Sequence, residues 1–515
     1  MDTVHTILRS AKYFFCATFL SRVSGFCRDM AMAFCFGGSA EVAGFLVAFR
    51  LANLFRRLLG EGNLQAGFVP QFESFRQESF AKAVHFYREA ALFLTLVSSV
   101  VVIGSEGILW LVFGALSPSW QEIARLTMWM LPGLLFICLS GLNQALLQSQ
   151  KKYFWPALTP IVFNGVWILA AMVSQNMLTL SIWVTVGCAL QWMISSLQVK
   201  REFSSLEKQK RQWFSLSCRE LIRLMTLGLL GIAAVQINSA LDAIFARIAD
   251  LSGPVYLWYA IRVQQLPLAL FGLALSGAVL PPLSRAIRSG DRTRFYEFLH
   301  SSLRRSAVLI IPSAFGLVAL GGAGLNVLYG HGHFHLQEVQ NTMVCLWAYA
   351  LGLAPSVGVL LLSQAFYAQK MYWVPARASL YAVGLNIFLN AVFVFGFGWG
   401  AASIALATSL SSLLNCYQLA RALTGSFDLS LFKLSFRLAL ASALPTALCL
   451  AVQYVGFQGL ALNGWGQGLQ LAVLSLLYLG GFAALVFLLS IHEVWETLGL
   501  RERSPAENRG NESFP

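Results

Sequence analysis

The chain has 515 residues, of which 57% are hydrophobic and only 11% charged, with a net charge of +13. A soluble protein carries roughly 25% charged residues, so this composition excludes a soluble globular domain and describes an all-α polytopic membrane protein. The positive charge does not imply a nucleic-acid partner, because Lys and Arg gather in alternate loops of an apolar chain.

In chain order, apolar stretches long enough to span a bilayer lie near 13–35, 41–60, 88–114, 124–147, 156–174, 178–199, 221–249, 254–284, 305–330, 337–367, 374–396, 400–421, 434–455 and 468–490. About 14 transmembrane helices are therefore expected. The apolar run after Lys12 is broken by Arg22 and shows no small-x-small cleavage site, so the first helix is expected to be retained. The connections at 36–40, 115–122, 175–177, 250–253, 331–336, 397–399 and 456–467 contain no Lys or Arg. The alternate set holds Lys82, Lys151, Lys152, Lys200, Arg201, Arg285, Arg288, Lys370, Arg377 and Lys433. The positive-inside rule then puts both termini in the cytoplasm. The nine cysteines have no C-x-x-C spacing and read as small apolar residues, not as a disulfide framework.

The chain also repeats itself. Asp29 precedes Ala48-Phe49-Arg50 much as Asp242 precedes Ala260-Ile261-Arg262, and Gly67-Phe68-Val69-Pro70 parallels Gly277-Ala278-Val279-Leu280-Pro281. Two pseudo-repeated lobes at 1–215 and 216–425 fit a transporter that rocks about a central site. Two further helices at 426–495 lie outside the repeat, and a polar, disordered cytoplasmic tail is expected at 496–515.

Intramembrane arginines are the sharpest functional signal, because each costs at least ~2.5–3.5 kcal/mol at the bilayer centre. Arg22 and Asp29 are seven residues apart and share a helix face, as do Arg50, Asn53 and Arg57 on the second span. Glu61 follows Arg57 at i+4, and Arg262 falls mid-span in the eighth stretch. Some of these arginines are expected simply to pair with Asp29, Asp242 or Glu61. Yet 27 arginines against nine lysines, with few carboxylates, point to a cationic cavity for a phosphate-bearing headgroup, which guanidinium binds bidentately. Asp242, with Asn386 and Asn390 on one face of the eleventh span, offers oxygen ligands for a monovalent cation such as Na⁺, or simply interhelical hydrogen bonds. His331, His333 and His335 alternate in an outer loop, a weak metal-binding pattern. The chain has no P-loop and no Asp-x-Asp pair for Mg²⁺, so it reads as a transporter with no enzymatic activity.

The blocks Ser21-Arg22-x-x-Gly25-Phe26-x-Arg28-Asp29, Val47-Ala48-Phe49-Arg50-Leu51-x-Asn53-Leu54-x-Arg56-Arg57, Glu61-Gly62, Pro156-Ala157-Leu158-Thr159-Pro160 with Asn164, Tyr259-Ala260-x-Arg262 and Ser409-Leu410-Ser411-Ser412-Leu413-Leu414-Asn415 resemble the MurJ (MviN) lipid II flippase family of the MOP exporter superfamily. The resemblance runs from about 10 to 425. It implies a fourteen-helix flippase of the bacterial inner membrane, with two lobes around a cationic cavity and no cofactor. The implied substrate is the undecaprenyl-diphosphate-linked peptidoglycan precursor, and cell-wall synthesis proteins are the implied partners. The family's cavity arginines fall on Arg22, Arg28, Arg56 and Arg262, its acidic residue after the second helix on Glu61, and its lipid-tail groove on the last two helices. Some relatives bind Na⁺ through the seventh, eleventh and twelfth helices, and the twelfth-helix ligands have no evident counterpart in the sequence. Three family positions differ: the Asp before the Val-Ala-Phe block is Ala43 or Gly44, the Pro after it is Ala52, and the acidic residue before Arg262 is Ile261. The rival readings are an exporter of another polyprenyl-diphosphate-linked glycan, a membrane enzyme, and a scaffold of cell-wall assembly.

Overall fold

A computed structural model describes residues 4–59, 63–150, 152, 154–202, 216–423, 429–456 and 464–497. Every regular element among them is helical. The chain divides into two compact units, Met1–Val255 with Gly332–Phe334, and Tyr256–His331 with His335–Pro515.

The first unit contains α1 (Val4–Phe36), α2 (Ala40–Ala52), α3 (Leu54–Leu59), α4 (Asn63–Glu78), α5 (Phe80–Phe113), α6 (Pro118–Met130), α7 (Gly133–Ser149), α8 (Phe154–Val173), α9 (Met177–Glu202) and α10 (Leu216–Ala249). The second contains most of α11 (Gly253–Pro267), then α12 (Ala274–Arg288), α13 (Arg292–Tyr329), α14 (Leu336–Leu351), α15 (Leu353–Ala368), α16 (Trp373–Ala391), α17 (Ala402–Ala422), α18 (Leu429–Gly456), α19 (Gly464–Leu488) and α20 (His492–Thr497). A helix or a broken pair of helices occupies each of the fourteen expected stretches. Among the described residues, eight helices are long and apolar enough to cross a membrane, and α6 with α7, bent by 40°, makes a ninth.

The breaks have local causes. Pro132 sits at the α6–α7 bend, where it removes a backbone donor. Pro267 precedes a π-helical turn at Leu268–Leu273 that joins α11 to α12. Asn53 separates α2 from α3 at φ −91°, ψ 0°, and its Nδ2 donates to the Phe49 carbonyl at 2.8 Å, a side-chain bond that competes with the regular ladder. The expected shared face of Arg50, Asn53 and Arg57 assumed one continuous helix, and the break at Asn53 removes that premise.

The first compact unit runs through α10 to Val255. The reason is that α10 packs on α2, α3, α4 and α5. The core of the first unit joins Leu64, Phe68 and Phe72 of α4 to Phe86 of α5 and Leu146 of α7. Near the end of α1, His333 donates its backbone N–H to the Phe34 carbonyl at 3.1 Å. Gly37 (φ +65°) and Gly332 (φ +63°) allow this approach, since a Cβ on Gly332 would lie 2.3 Å from the Phe34 oxygen.

In the second unit, α18 and α19 dock on α13 through polar side chains. Tyr478 Oη donates to the Pro312 carbonyl at 2.6 Å, Thr446 Oγ1 to that of Phe315 at 3.3 Å and Gln453 Nε2 to that of Ala319 at 2.8 Å. Apolar contacts of Ala319 and Ala323 with Cys449, Leu474 and Tyr478 fill the seam.

Candidate functional site

Arg28 is the best-defined of the expected site residues. It is buried in the C-terminal third of α1, and its Nε and Nη2 both donate to Asp29 Oδ1, at 3.1 and 2.8 Å. Nη1 donates to Asn164 Oδ1 on α8 at 3.2 Å, and Asn164 Nδ2 donates in turn to Ser24 Oγ at 2.8 Å. The guanidinium lies over the Trp167 ring, 4.8 Å from its centroid. Phe45, Phe49 and Phe163 pack edge-on around Trp167 at 5.5, 4.8 and 5.6 Å. Aromatic packing therefore fixes the ring that supports the charge. Three of the five N–H groups of Arg28 are committed here, which leaves two for an anion.

The other arginines are arranged differently. Arg22 is exposed and Arg56 half-buried. Arg50 Nη1 donates to the Ser239 carbonyl at 3.2 Å, tying α2 to α10. Arg262 is half-buried and stacks on Trp258, one turn earlier on α11, at 4.6 Å. The side chain of Arg57 and the whole of Glu61 lie outside the described residues. The expectation that one of the arginines pairs with Asp29 holds for its chain neighbour, because the long Arg28 side chain folds back on it.

A second polar cluster is buried between α16 and α17. Asn390 Nδ2 donates to Asn386 Oδ1 at 3.0 Å, Asn386 Nδ2 to Thr408 Oγ1 at 3.3 Å, and Thr408 Oγ1 to the Ile404 carbonyl at 3.0 Å. Its side chains carry only oxygens and amides in an otherwise apolar layer, a donor set that fits a hard monovalent cation. Asp242 belongs to the first unit, where Asn238 Nδ2 donates to its Oδ2 at 3.4 Å.

His331 and His333 each lie against a main-chain carbonyl: His331 Nε2 is 3.0 Å from that of Val327 and His333 Nδ1 3.1 Å from that of Phe34. Among the described residues, no group of three or more His, Cys, Asp or Glu is placed to hold a metal.

The family model for the lipid II flippase MurJ matches residues 32–476. The chain belongs to the MurJ family. A probable lipid II flippase MurJ of Chlamydia muridarum is 31% identical over 417 residues, covering 80% of this chain and 77% of the relative. One from Vibrio cholerae is 28% identical over 468 residues, covering 86% and 89%. Among solved structures, the lipid II flippase MurJ in an inward closed conformation superposes with a TM-score of 0.74 at 25% identity, covering 92% of this chain and 99% of its own. An inward-facing MATE family multidrug transporter of the MOP superfamily shares the fold, with a TM-score of 0.65 at 10% identity. The chain is thus a multi-pass membrane protein with the helical architecture of MurJ and MATE transporters.

Sequence reasoning missed two residues of these clusters. Trp167 looks like ordinary core in an apolar helix, although Asn164, three residues earlier, marks the same face. Thr408 supplies the twelfth-span contact that the sequence did not reveal; its signal is a lone hydroxyl in Ile404-Ala405-Leu406-Ala407-Thr408.

Proposed function

We propose that this chain is a lipid II flippase, moving the lipid-linked peptidoglycan precursor from the inner to the outer leaflet of the bacterial cytoplasmic membrane by alternating access. The observation that carries the reading is a MurJ-family chain that retains Arg28 in a dry, aromatic-backed setting with N–H donors to spare. Electrostatic attraction to a diphosphate is strong where water is excluded. Arg22 and Arg56 of the first unit add charge and hydrogen-bond donors for the headgroup, and Arg262 is the second unit's own candidate for a diphosphate. Release of Arg28 from Asp29 in favour of a phosphate oxygen exchanges one charge-assisted hydrogen bond for another, so the substrate competes with a built-in counter-ion. The polyprenyl tail stays in lipid or against α18 and α19, whose exposed faces carry Phe432, Phe436, Leu444, Leu476 and Leu479.

Asn386, Asn390, Thr408 and the Ile404 carbonyl are the oxygens that the second unit offers to Na⁺, and Asp242 is a separate candidate carboxylate of the first unit. Bound Na⁺ would couple an ion gradient to movement. Both termini lie in the cytoplasm, on the side of the basic loops.

The test is replacement of a bacterium's own flippase by this chain, with surface exposure of the lipid-linked precursor as readout. Wild type is expected to restore exposure, and Arg28→Ala and Arg262→Ala to abolish it at equal membrane abundance. A well-inserted wild type that restores nothing refutes lipid II as substrate and favours another polyprenyl-diphosphate-linked glycan.

A further inference from the structure

Arg247 plays no part in the arginine site described above, yet it is among the most deeply buried cations of the first unit. It sits in the last turn of α10. Its Nη1 donates to the Ala40 carbonyl, in the first turn of α2, at 2.8 Å, and also to the Leu251 carbonyl just beyond α10. Its Nη2 donates to Ser119 Oγ, in the first turn of α6, at 2.9 Å. One guanidinium thus joins the end of α10 to the beginnings of two other helices. Its Nε is buried without a hydrogen-bond partner.

This combination differs from that of a permanent staple. A buried guanidinium hydrogen-bonded only to neutral oxygens, with Glu122 and Asp250 acting on it through space alone and its Nε unsatisfied, keeps part of its desolvation penalty. Water offers that group full hydration as soon as the helix ends separate. Two arrangements are therefore favoured over intermediates: a dry one with three hydrogen bonds and a wet one with all donors hydrated. Packed interfaces are bistable in this way.

We propose that Arg247 is a reversible polar latch that holds the outer end of α10 against α2 and α6, and that the latch opens during the protein's working cycle. The consequence is local: α10 moves with α2 and α6 while the latch is closed and separates from them when it opens. The assignment goes beyond the substrate reading, and its first test does not depend on that reading.

Ala243 lies one turn before Arg247, on the same face of α10, and is buried at 2% exposure. Ala243→Cys, in a background where native cysteines are unreactive, reports opening through its reaction with a small membrane-impermeant thiol reagent in membrane vesicles. Adding Arg247→Met, which keeps the bulk and removes the donors, is expected to speed labelling about tenfold or more, and Ser119→Ala by a smaller factor. Arg247→Lys, which keeps the charge with fewer aligned donors, is expected to fall between them. Unchanged labelling in Arg247→Met overturns the latch. In a second arm, Ala40→Cys and Leu251→Cys are joined by a short cleavable bis-maleimide. Transport blocked by the bridge and restored by cleavage supports opening during the cycle. Full transport by the bridged protein shows that the helix ends never part, and overturns it.

Discussion

Arg28 and Asp29 are chain neighbours that point about 100° apart around α1, yet they meet at 2.8 Å because the arginine doubles back across its own helix. The pair is dry, with Asp29 only 4% exposed at its side chain. Its strength therefore depends on both partners being present.

Asp29→Asn should separate two roles of this pair. The amide keeps one carbonyl acceptor but loses the charge, so stability should fall by roughly 1–3 kcal/mol. Thermal unfolding in detergent measures the fall. If the counter-ion competes with substrate, a diphosphate-bearing lipid should bind the variant at least as tightly as wild type once the fold is checked.

Trp167→Leu should be more damaging than Trp167→Phe. Leucine removes the ring beneath Arg28, worth about 0.5–2 kcal/mol, and opens space among Phe45, Phe49 and Phe163. Large-to-small core changes cost roughly 3–5 kcal/mol in the extreme. Phenylalanine keeps a ring face for the guanidinium, and expression and melting temperature should rank wild type, Phe, Leu.

Arg262→Lys should impair precursor exposure while leaving the melting temperature close to wild type. An ammonium keeps the charge but does not stack flat on Trp258 or bind phosphate with two parallel hydrogen bonds. Full exposure with lysine would show that charge alone suffices at this position.

Thr408→Val is nearly isosteric and removes Oγ1 alone. If the α16–α17 cluster takes Na⁺, wild type should melt at a higher temperature in NaCl than in choline chloride, by the linkage RT ln(1 + [L]/Kd). The variant should lose that difference. An equal salt response in both proteins would assign the cluster to interhelical hydrogen bonding.

What the sequence revealed follows from what each signal requires. Long apolar runs and the position of Lys and Arg need only composition, so the helical stretches were legible. The motif around Arg22, Arg28 and Asp29 was legible as a block. Its internal pairing was not, because helix-face arithmetic places Cβ atoms and says nothing of a long arginine side chain that curls back. The break at Asn53 was hidden for a related reason: a single Asn is compatible with a helix until its amide bonds the Phe49 carbonyl. Arg247 was passed over because an arginine at the end of an apolar run ordinarily reaches water, and only the packing of α2 and α6 over it removes that outlet. The assignment of α10 to the first unit depends on the same packing, which no repeat in the sequence encodes.

Three of the hydrogen bonds that seat α18 and α19 on α13 end on main-chain carbonyls, at Pro312, Phe315 and Ala319, while Arg304 with Ser430 and Gln467 with Asn326 join side chains on either side of them. Between those two pairs, recognition is written on one side only: Tyr478, Thr446 and Gln453 meet atoms that every residue possesses. Side chains on that middle stretch of α13 can therefore drift without compensating changes across the seam, whereas Arg304 and Asn326 cannot. A transplanted helix pair would need its own polar residues, a matching apolar surface and an α13 that keeps Arg304 and Asn326.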